Sequence, residues 1–300
     1  MSAKIFFEKY GSPKVLREAD DTLPEPGAGQ VRIANRAISV NPVDWKVVAG
    51  YLKEFLPLEL PAVPGNETAG VVEAVGPGTD GFAVGDEVIW SGFTGAYVAA
   101  ANVEATALTS KPANIDFEQA ASLPVAGGTA YSEVHQIGIG SGDTVLVHGA
   151  AGGVGSAAVQ IAKALGARVI GTASVANHAY LASIGAEPVV YGDGLVERVT
   201  ALGPITASVD TYGGAASVAA TVQLLPDLSR AVTAVSDEHS AAAGIASVVA
   251  APDRLAAVVK LAEQGALRFA IAERFPLADA AKALELSYAG HLRGKIILVP

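Results

Sequence analysis

Residues Val145–Gly155 constrain this chain more than any other segment. They run Val-Leu-Val-His-Gly-Ala-Ala-Gly-Gly-Val-Gly: a short apolar run, a glycine-rich turn and the opening of an alanine-rich stretch. Set against the G-x-G-x-x-G pattern, they read Ala150-x-Gly152-x-x-Gly155. Each position has a physical reason. At Gly152 the missing Cβ lets a pyrophosphate approach the backbone, and at Gly155 it lets the helix lie close on the strand. The helix start presents N–H groups and a partial positive charge to an anion. The same glycines could merely relieve crowding in a buried turn. The pattern points to a dinucleotide because a strand precedes it, a helix follows it, and a second strand comes after that. The candidate phosphate cradle is Ala150, Ala151, Gly152, Gly153, Val154 and Gly155.

The surrounding segment repeats this alternation. Strands are expected at Thr144–His148, Arg168–Thr172, Pro188–Val190, Ala207–Asp210 and Arg230–Val235, with helices at Gly153–Leu165, Ala176–Ile184, Leu195–Leu202 and Ala215–Leu224. Alternation at this spacing implies right-handed crossovers and a parallel sheet, buried on both faces. The first third reads differently. Strands such as Val31–Ile38 and Gly70–Val75 lie between turn signals, among them Pro24-Glu25-Pro26-Gly27, Pro64-Gly65-Asn66 and Gly76-Pro77-Gly78, which suggests a barrel-like β domain. Asp116 with Gln119 marks a helix start, Pro252–Gln264 reads as a further helix, and Lys295–Val299 as a terminal strand. If that strand rejoins the first domain, the nucleotide domain is an insertion. The expected division is 1–118 with 268–300 for one domain and 119–267 for the other.

Composition narrows the function classes. Hydrophobic residues make up 51% and charged residues 17%, enough for a large core and unlike a disordered chain. The net charge of -10 argues against nucleic acid and anionic membrane as partners. No cysteine is present, so disulfides, thiolate metal sites and cysteine nucleophiles are excluded. The uncharged stretch Thr144–Ala162 contains several glycines and a histidine and is read as buried strand and helix, not as a membrane span. The short apolar run within Met1–Tyr10 is too brief for a signal peptide, and a soluble, cytoplasmic chain is the expectation.

The end of the second strand of the nucleotide domain sharpens the cofactor. Sites that prefer NAD carry Asp or Glu there to bind the ribose 2′-OH. This chain has Gly171-Thr172-Ala173-Ser174, and no acid follows before Glu187. A carboxylate would repel a 2′-phosphate, whereas the Ser174 hydroxyl can donate to one; NADPH is therefore the expected cofactor. Ser174 also suits an ordinary helix cap. No Lys or Arg lies between Ser174 and Ala186, which leaves Asn177, His178 or the distant Arg293 as further partners of the phosphate.

These residues add up to a known pattern. The chain resembles the medium-chain dehydrogenase/reductase superfamily, and within it the zinc-free quinone oxidoreductases related to ζ-crystallin. The resemblance spans nearly the whole chain. It rests on Val40-Asn41-Pro42-Val43-Asp44, Pro64-Gly65-Asn66-Glu67-Thr68-Ala69-Gly70, Val84-Gly85-Asp86-Glu87-Val88, Leu123-Pro124-Val125-Ala126-Gly127-Gly128-Thr129-Ala130-Tyr131, the Ala150–Gly155 turn, Val209-Asp210-Thr211 with Gly213-Gly214, and Gly290-His291-Leu292-Arg293-Gly294-Lys295. It implies an α/β fold: a groES-like β-barrel catalytic domain with an inserted Rossmann-type parallel-sheet domain, the nicotinamide lying in the cleft between them. Zinc-dependent members carry Gly-His-Glu where this chain has Gly65-Asn66-Glu67. With that histidine and every cysteine missing, and with no ligand spacing among His135, His148, His178, His239 and His291, no metal site is expected.

The resemblance also nominates side chains. Asn41 matches a position facing nicotinamide and substrate, where its amide can donate to a quinone oxygen as negative charge develops; it also suits a turn before Pro42. Asp44 either fixes that loop or contacts the cofactor. Lys46 stands where some relatives place tyrosine, as a positive charge toward a reduced acceptor or as a solvated surface lysine. Tyr51 is either a donor near the cleft or a packing residue. Thr129 matches a position near the nicotinamide, and Tyr191 one that approaches the adenosine phosphate. Val235 and Ser236 follow the last central strand and fall near the nicotinamide by the carboxyl-end rule.

The expected activity is hydride transfer from NADPH to a quinone, and the resemblance implies a homodimer, with Ala246–Val249 as an edge strand suited to pairing. An α,β-unsaturated carbonyl is the alternative acceptor. A non-catalytic NADPH-binding or sensory protein is a reading of a different class.

Overall fold

The computed structural model describes residues 2–300. The chain divides into two compact units, Met1–Val125 with Ile271–Pro300, and Ala126–Ala270. These boundaries lie a few residues beyond those read from the sequence. The helix Phe117–Ala121 packs on the strands Gln30–Val40 and Glu67–Val75, and the N–H of Val125 donates to Glu67, so this stretch belongs to the first unit. Asp116 caps that helix, its carboxylate accepting from the Gln119 N–H at 2.8 Å. The chain then winds through a π-helical stretch, Leu123–Gly127, into the helix Gly128–Gln136.

The first unit is built on a mainly antiparallel sheet. Its order is Ile271–Pro276, Lys295–Val299, Gln30–Val40, Glu67–Val75, Glu87–Ser91 and Leu108–Ser110, with Ala100–Glu104 also paired to Gln30–Val40. The terminal strand does rejoin this unit: Ile296 stands opposite Val40 and Leu298 opposite Ile38. The second unit is therefore inserted between sheet-forming segments of the first. One core gathers Ile5, Phe7, Ile38, Tyr97, Leu284 and Leu298, all nearly or wholly buried. The strand Gln30–Val40 runs beyond the expected Val31–Ile38 at both ends and so delivers Asn41 directly to the next helix, Pro42–Val48.

The second unit carries a six-stranded parallel sheet in the order Glu187–Val190, Arg168–Ala173, Thr144–His148, Ala207–Asp210, Ala231–Thr233, Ala246–Ser247. Numbered along the chain this is 3-2-1-4-5-6, the doubly wound order in which the sequence of strands reverses beside the first one. Val145, Leu146 and Val147 are wholly buried, as a strand covered on both faces requires. The strand expected at Arg230–Val235 is shorter. Asp227 caps a 3-10 turn, Leu228–Arg230, ahead of it, and the Val235 N–H turns back to the Thr233 hydroxyl at 3.0 Å. The helix expected at Ala176–Ile184 is split into a 3-10 turn, Val175–Asn177, and the helix His178–Ser183. At the sheet edge only Ala246–Ser247 pairs.

Candidate active site

The turn after Thr144–His148 is held from two sides. The Ala150 N–H donates to the Thr172 carbonyl at 3.0 Å, and the Gly149 N–H to the Thr172 hydroxyl at 3.2 Å. The Thr211 hydroxyl donates to the His148 carbonyl at 2.8 Å. The helix Gly153–Ala164 starts at Gly152. Its first bond runs from the Ser156 N–H to the Gly152 carbonyl at 2.9 Å, so the N–H groups of Gly153, Val154 and Gly155 stand ahead of any intrahelical acceptor. The two key glycines have different reasons. A Cβ at Gly155 would lie 2.2 Å from the Gly149 carbonyl oxygen and 2.8 Å from the Ala150 Cα, both backbone. A Cβ at Gly152 would meet only the Gly149 oxygen, at an ordinary 3.4 Å, and its φ of -72° and ψ of 178° suit any residue. The fold needs glycine at 155. It does not need one at 152.

Other sequence-nominated residues of this unit sit at the carboxyl ends of its strands. Ser174 follows Arg168–Ala173, half-buried, its hydroxyl oxygen accepting from the Asn177 amide at 3.3 Å. It starts the 3-10 turn without a side-chain cap bond. His178 is half-buried and its Nε2 is buried without a hydrogen-bond partner. Tyr191 is half exposed after Glu187–Val190. Val235 is half-buried, and Ser236 is exposed with its hydroxyl 2.6 Å from that of Ser247. Thr129 is half-buried in the first turn of Gly128–Gln136. Glu187, the first acid after the second strand, is engaged with Arg168 through two contacts of 2.7 Å.

Two acids of this unit are buried: Asp210, which the sequence marks as lining the cofactor or forming a turn, and Glu133, which it does not mark. Asp210 accepts from the Tyr212 and Gly213 N–H groups at 2.9 Å and from the Ser217 hydroxyl at 2.7 Å. Glu133 is wholly buried; burial, and then the charge of Asp210, push its carboxyl well above the usual range. His148 is also buried, with Nε2 3.1 Å from the Thr221 hydroxyl. Burial lowers its pKa against the pull of Asp210.

In the first unit, a polar cluster lies where the strand Gln30–Val40 meets the helix Pro42–Val48. Asn41 is buried, its Nδ2 donating to Glu67 Oε1 at 2.8 Å and its Oδ1 accepting from Lys295 Nζ. Lys295 also donates to the Val40 carbonyl at 3.2 Å and pairs with Glu67 at 3.3 Å. The other Glu67 oxygen accepts from the Val125 N–H at 2.6 Å. Asp44 is wholly buried and accepts from the Asn41 N–H at 2.8 Å and the Tyr97 hydroxyl at 2.9 Å. Of the two roles left open for Asp44, these contacts are those of a residue that fixes the loop. Burial pushes its carboxyl up to about 7; the Asn41 N–H and Tyr97 hydroxyl oppose this, Glu67 adds to it and Lys295 opposes it.

Lys46 and Tyr51 gather on a side chain the sequence did not flag, Trp45. The ammonium lies 5.7 Å from the Trp45 ring, and Tyr51, two-thirds exposed, meets that ring edge-on at 5.8 Å. Tyr288 meets it edge-on at 5.0 Å. Arg293 is exposed on the loop before Lys295–Val299.

Comparison with known proteins decides the family. Residues 27–130 match the alcohol dehydrogenase GroES-like domain, and residues 184–298 the zinc-binding dehydrogenase family. The chain is 35% identical to a quinone oxidoreductase of Pseudomonas aeruginosa over the full length of both. The chain belongs to the medium-chain dehydrogenase/reductase superfamily, in its quinone oxidoreductase branch. It is similar, at 29% identity with 99% of each chain covered and a TM-score of 0.89, to a protein solved as an NAD-dependent alcohol dehydrogenase. It is similar, at 30% identity with 100% of each chain covered and a TM-score of 0.85, to a mycobacterial protein solved in complex with NADPH. This superfamily member is an oxidoreductase of mixed α/β fold, with a GroES-like unit and a nucleotide-binding parallel sheet. No helix among the described residues is long and apolar enough to cross a membrane.

The family name raises zinc, and the residues of this member do not fit it. Asn66 stands where zinc-dependent members carry histidine, and its Nδ2 donates to the carbonyls of Phe93, at 2.6 Å, and Gly92, at 3.4 Å. Both oxygens of Glu67 are engaged by protein donors. Among the described residues no three His, Cys, Asp or Glu side chains gather in a way that could hold a metal ion. A nicotinamide dinucleotide fits better, because the open helix start at Gly153–Gly155 and the spare room at Gly152 are what a pyrophosphate needs.

Proposed function

We propose that this chain is a zinc-independent oxidoreductase that transfers hydride from NADPH to a quinone. The observation that carries the reading is Gly152: nothing inside the fold requires glycine there, and a residue without a Cβ leaves the backbone open to a pyrophosphate approaching from outside. When bound, the reduced nicotinamide supplies the hydride; the protein orients the partners and excludes water.

The residues then take these roles. The N–H groups of Gly153, Val154 and Gly155 hold the pyrophosphate, with Ala150, Ala151 and Gly152 shaping the cradle. Ser174 meets the 2′-phosphate through its hydroxyl, with the half-buried His178 as a further partner. The absence of an acid between Ala173 and Ala186 supports NADPH over NADH, since a carboxylate would repel the phosphate. Thr129, Tyr191, Val235 and Ser236 line the remainder of the dinucleotide, and Arg293 is a further candidate for the phosphate. Asn41 donates an Nδ2–H to the acceptor oxygen as its charge develops, and Lys46 and Tyr51 flank the acceptor.

A panel of quinones with NADPH and with NADH tests this. The expected result is quinone-dependent oxidation of NADPH, faster per unit concentration than that of NADH. If neither coenzyme is oxidised with any quinone while an enone is reduced, the acceptor is an unsaturated carbonyl. If NADPH binds and no acceptor is turned over, the enzymatic reading fails.

A further inference from the structure

We propose that Lys295 and Glu67 are positioning residues for hydride acceptance: together they hold the Asn41 amide in one orientation, so that its second Nδ2–H is the one offered to the acceptor oxygen. The inference rests on the reading of Asn41 as the donor.

The two ends of an asparagine amide have nearly the same shape, and only hydrogen-bond partners distinguish them. Around Asn41 those partners are unambiguous. An ammonium can only donate and a carboxylate can only accept. Lys295 Nζ sits on Oδ1, and Glu67 Oε1 sits on Nδ2 at 2.8 Å. Turning the amide over would set NH2 against ammonium and carbonyl against carboxylate, four charges or dipoles in opposition within a buried cluster.

The strand register builds this arrangement. Lys295–Val299, Gln30–Val40 and Glu67–Val75 are consecutive neighbours in the sheet. Ile296 is paired with Val40, and Ile38 with Thr68, so Lys295 comes opposite Asn41 and Glu67 reaches the same end of the three strands. Each partner is itself held. Lys295 uses its three hydrogens on the Val40 carbonyl, Asn41 and Glu67. Glu67 is braced by the Val125 N–H at 2.6 Å. Both side chains are almost wholly buried, 4% and 0% exposed.

Stability does not account for such a pair. Two apolar side chains of the same volume would fill the space as well or better, because a buried ion pair gives up the hydration of both charges. Apolar side chains could not orient an amide.

The test compares Lys295→Met, Lys295→Arg and the doubly neutral Lys295→Met/Glu67→Gln in wild-type and Asn41→Ala backgrounds. Readouts are kcat and KM with NADPH and 1,4-benzoquinone, the NADPH dissociation constant by fluorescence, and the Asn41 side-chain amide by 15N-edited NMR. Lys295→Met is expected to lower kcat at least tenfold with the NADPH constant changed less than twofold. Lys295→Arg is expected to recover most of the loss. In the Asn41→Ala background the same substitution is expected to change kcat less than twofold, because the amide it acts through is gone. The double neutral variant covers the case in which the lone uncompensated Glu67 unfolds the chain, and the same kcat loss is expected of it. A kcat within twofold of wild type in the folded Lys295 variants, or an equal loss with and without Asn41, overturns the proposal. Should the wild type reduce no acceptor at all, the functional reading falls, and positioning is judged on the NMR signal. One Nδ2 proton shifted downfield by its carboxylate partner and averaged in Lys295→Met supports it; an unchanged signal overturns it.

Discussion

Replacing Gly152 by alanine separates what the fold needs from what the ligand needs. The backbone at 152 already has angles that alanine adopts freely, and the new Cβ meets one carbonyl oxygen at 3.4 Å. Losing the extra freedom of glycine in the unfolded chain stabilises the protein by about 0.4–1 kcal/mol. Alanine is the poorer residue ahead of a helix, at a cost of roughly 0.5–1.5 kcal/mol. The two nearly cancel, and Gly152→Ala should shift folding stability by no more than about 1 kcal/mol. Binding should respond quite differently. A methyl group on the approach to the N–H groups of Gly153–Gly155 removes or lengthens at least one bond to a charged oxygen, worth about 1.5–3 kcal/mol. NADPH affinity should then fall roughly ten- to hundredfold. Gly155→Ala is the contrasting case. Its Cβ would sit 2.2 Å from one backbone atom and 2.8 Å from another, so the helix must move off the strand at a cost of at least about 1–3 kcal/mol. Urea denaturation and fluorescence titration with NADPH measure both quantities on both variants. The reasoning is refuted if Gly152→Ala is destabilised as much as Gly155→Ala, or if it binds NADPH like the wild type.

The remaining expectations concern charge and metal. Asp44 titrates near 7 in the folded protein and near 4 when unfolded, so the folded state holds the extra proton. Its contribution to stability is full below about pH 4 and is lost as pH rises to about 7, up to roughly 4 kcal/mol. Asp44→Asn should therefore flatten the fall in urea midpoint between pH 4.5 and 7.5, and an unchanged slope would disprove it. Burial pushes the Glu133 carboxyl well above the usual range, so the folded state holds its proton to higher pH than the unfolded chain and loses stability as pH rises; Glu133→Gln should gain on the wild type in urea midpoint as pH rises, and a gap that does not widen with pH would disprove it. Prolonged treatment with EDTA should leave both the melting temperature and the quinone reductase rate unchanged, and a loss restored by zinc would overturn the metal-free reading.

Much of the fold was legible in order along the chain. The strand-turn-helix around Gly152, the alternation after it and the return of Lys295–Val299 depend on local apolar runs and turn residues, so Thr144–His148, Ala207–Asp210, Ala215–Leu224 and Lys295–Val299 lie where the sequence places them. The ends of Arg230–Val235 and Ala176–Ile184 were not, because a hydroxyl at Thr233 and a 3-10 turn at Val175–Asn177 stop elements whose apolar pattern continues. At the candidate site, Asn41 and Asp44 stood out by motif, but the partners that give them meaning did not.

What the sequence determined by itself is the class of ligand, since a pyrophosphate is met by backbone, and backbone access is written in glycines a few residues apart. What only the tertiary structure decided is which polar side chains act together. Asn41, Glu67 and Lys295 lie far apart in sequence, and it is the pairing of three strands that sets an ammonium and a carboxylate on the two ends of one amide. Likewise, the motif gives Gly152 and Gly155 different roles, but only their distances to Gly149 show that a Cβ is tolerated at the one and barred at the other.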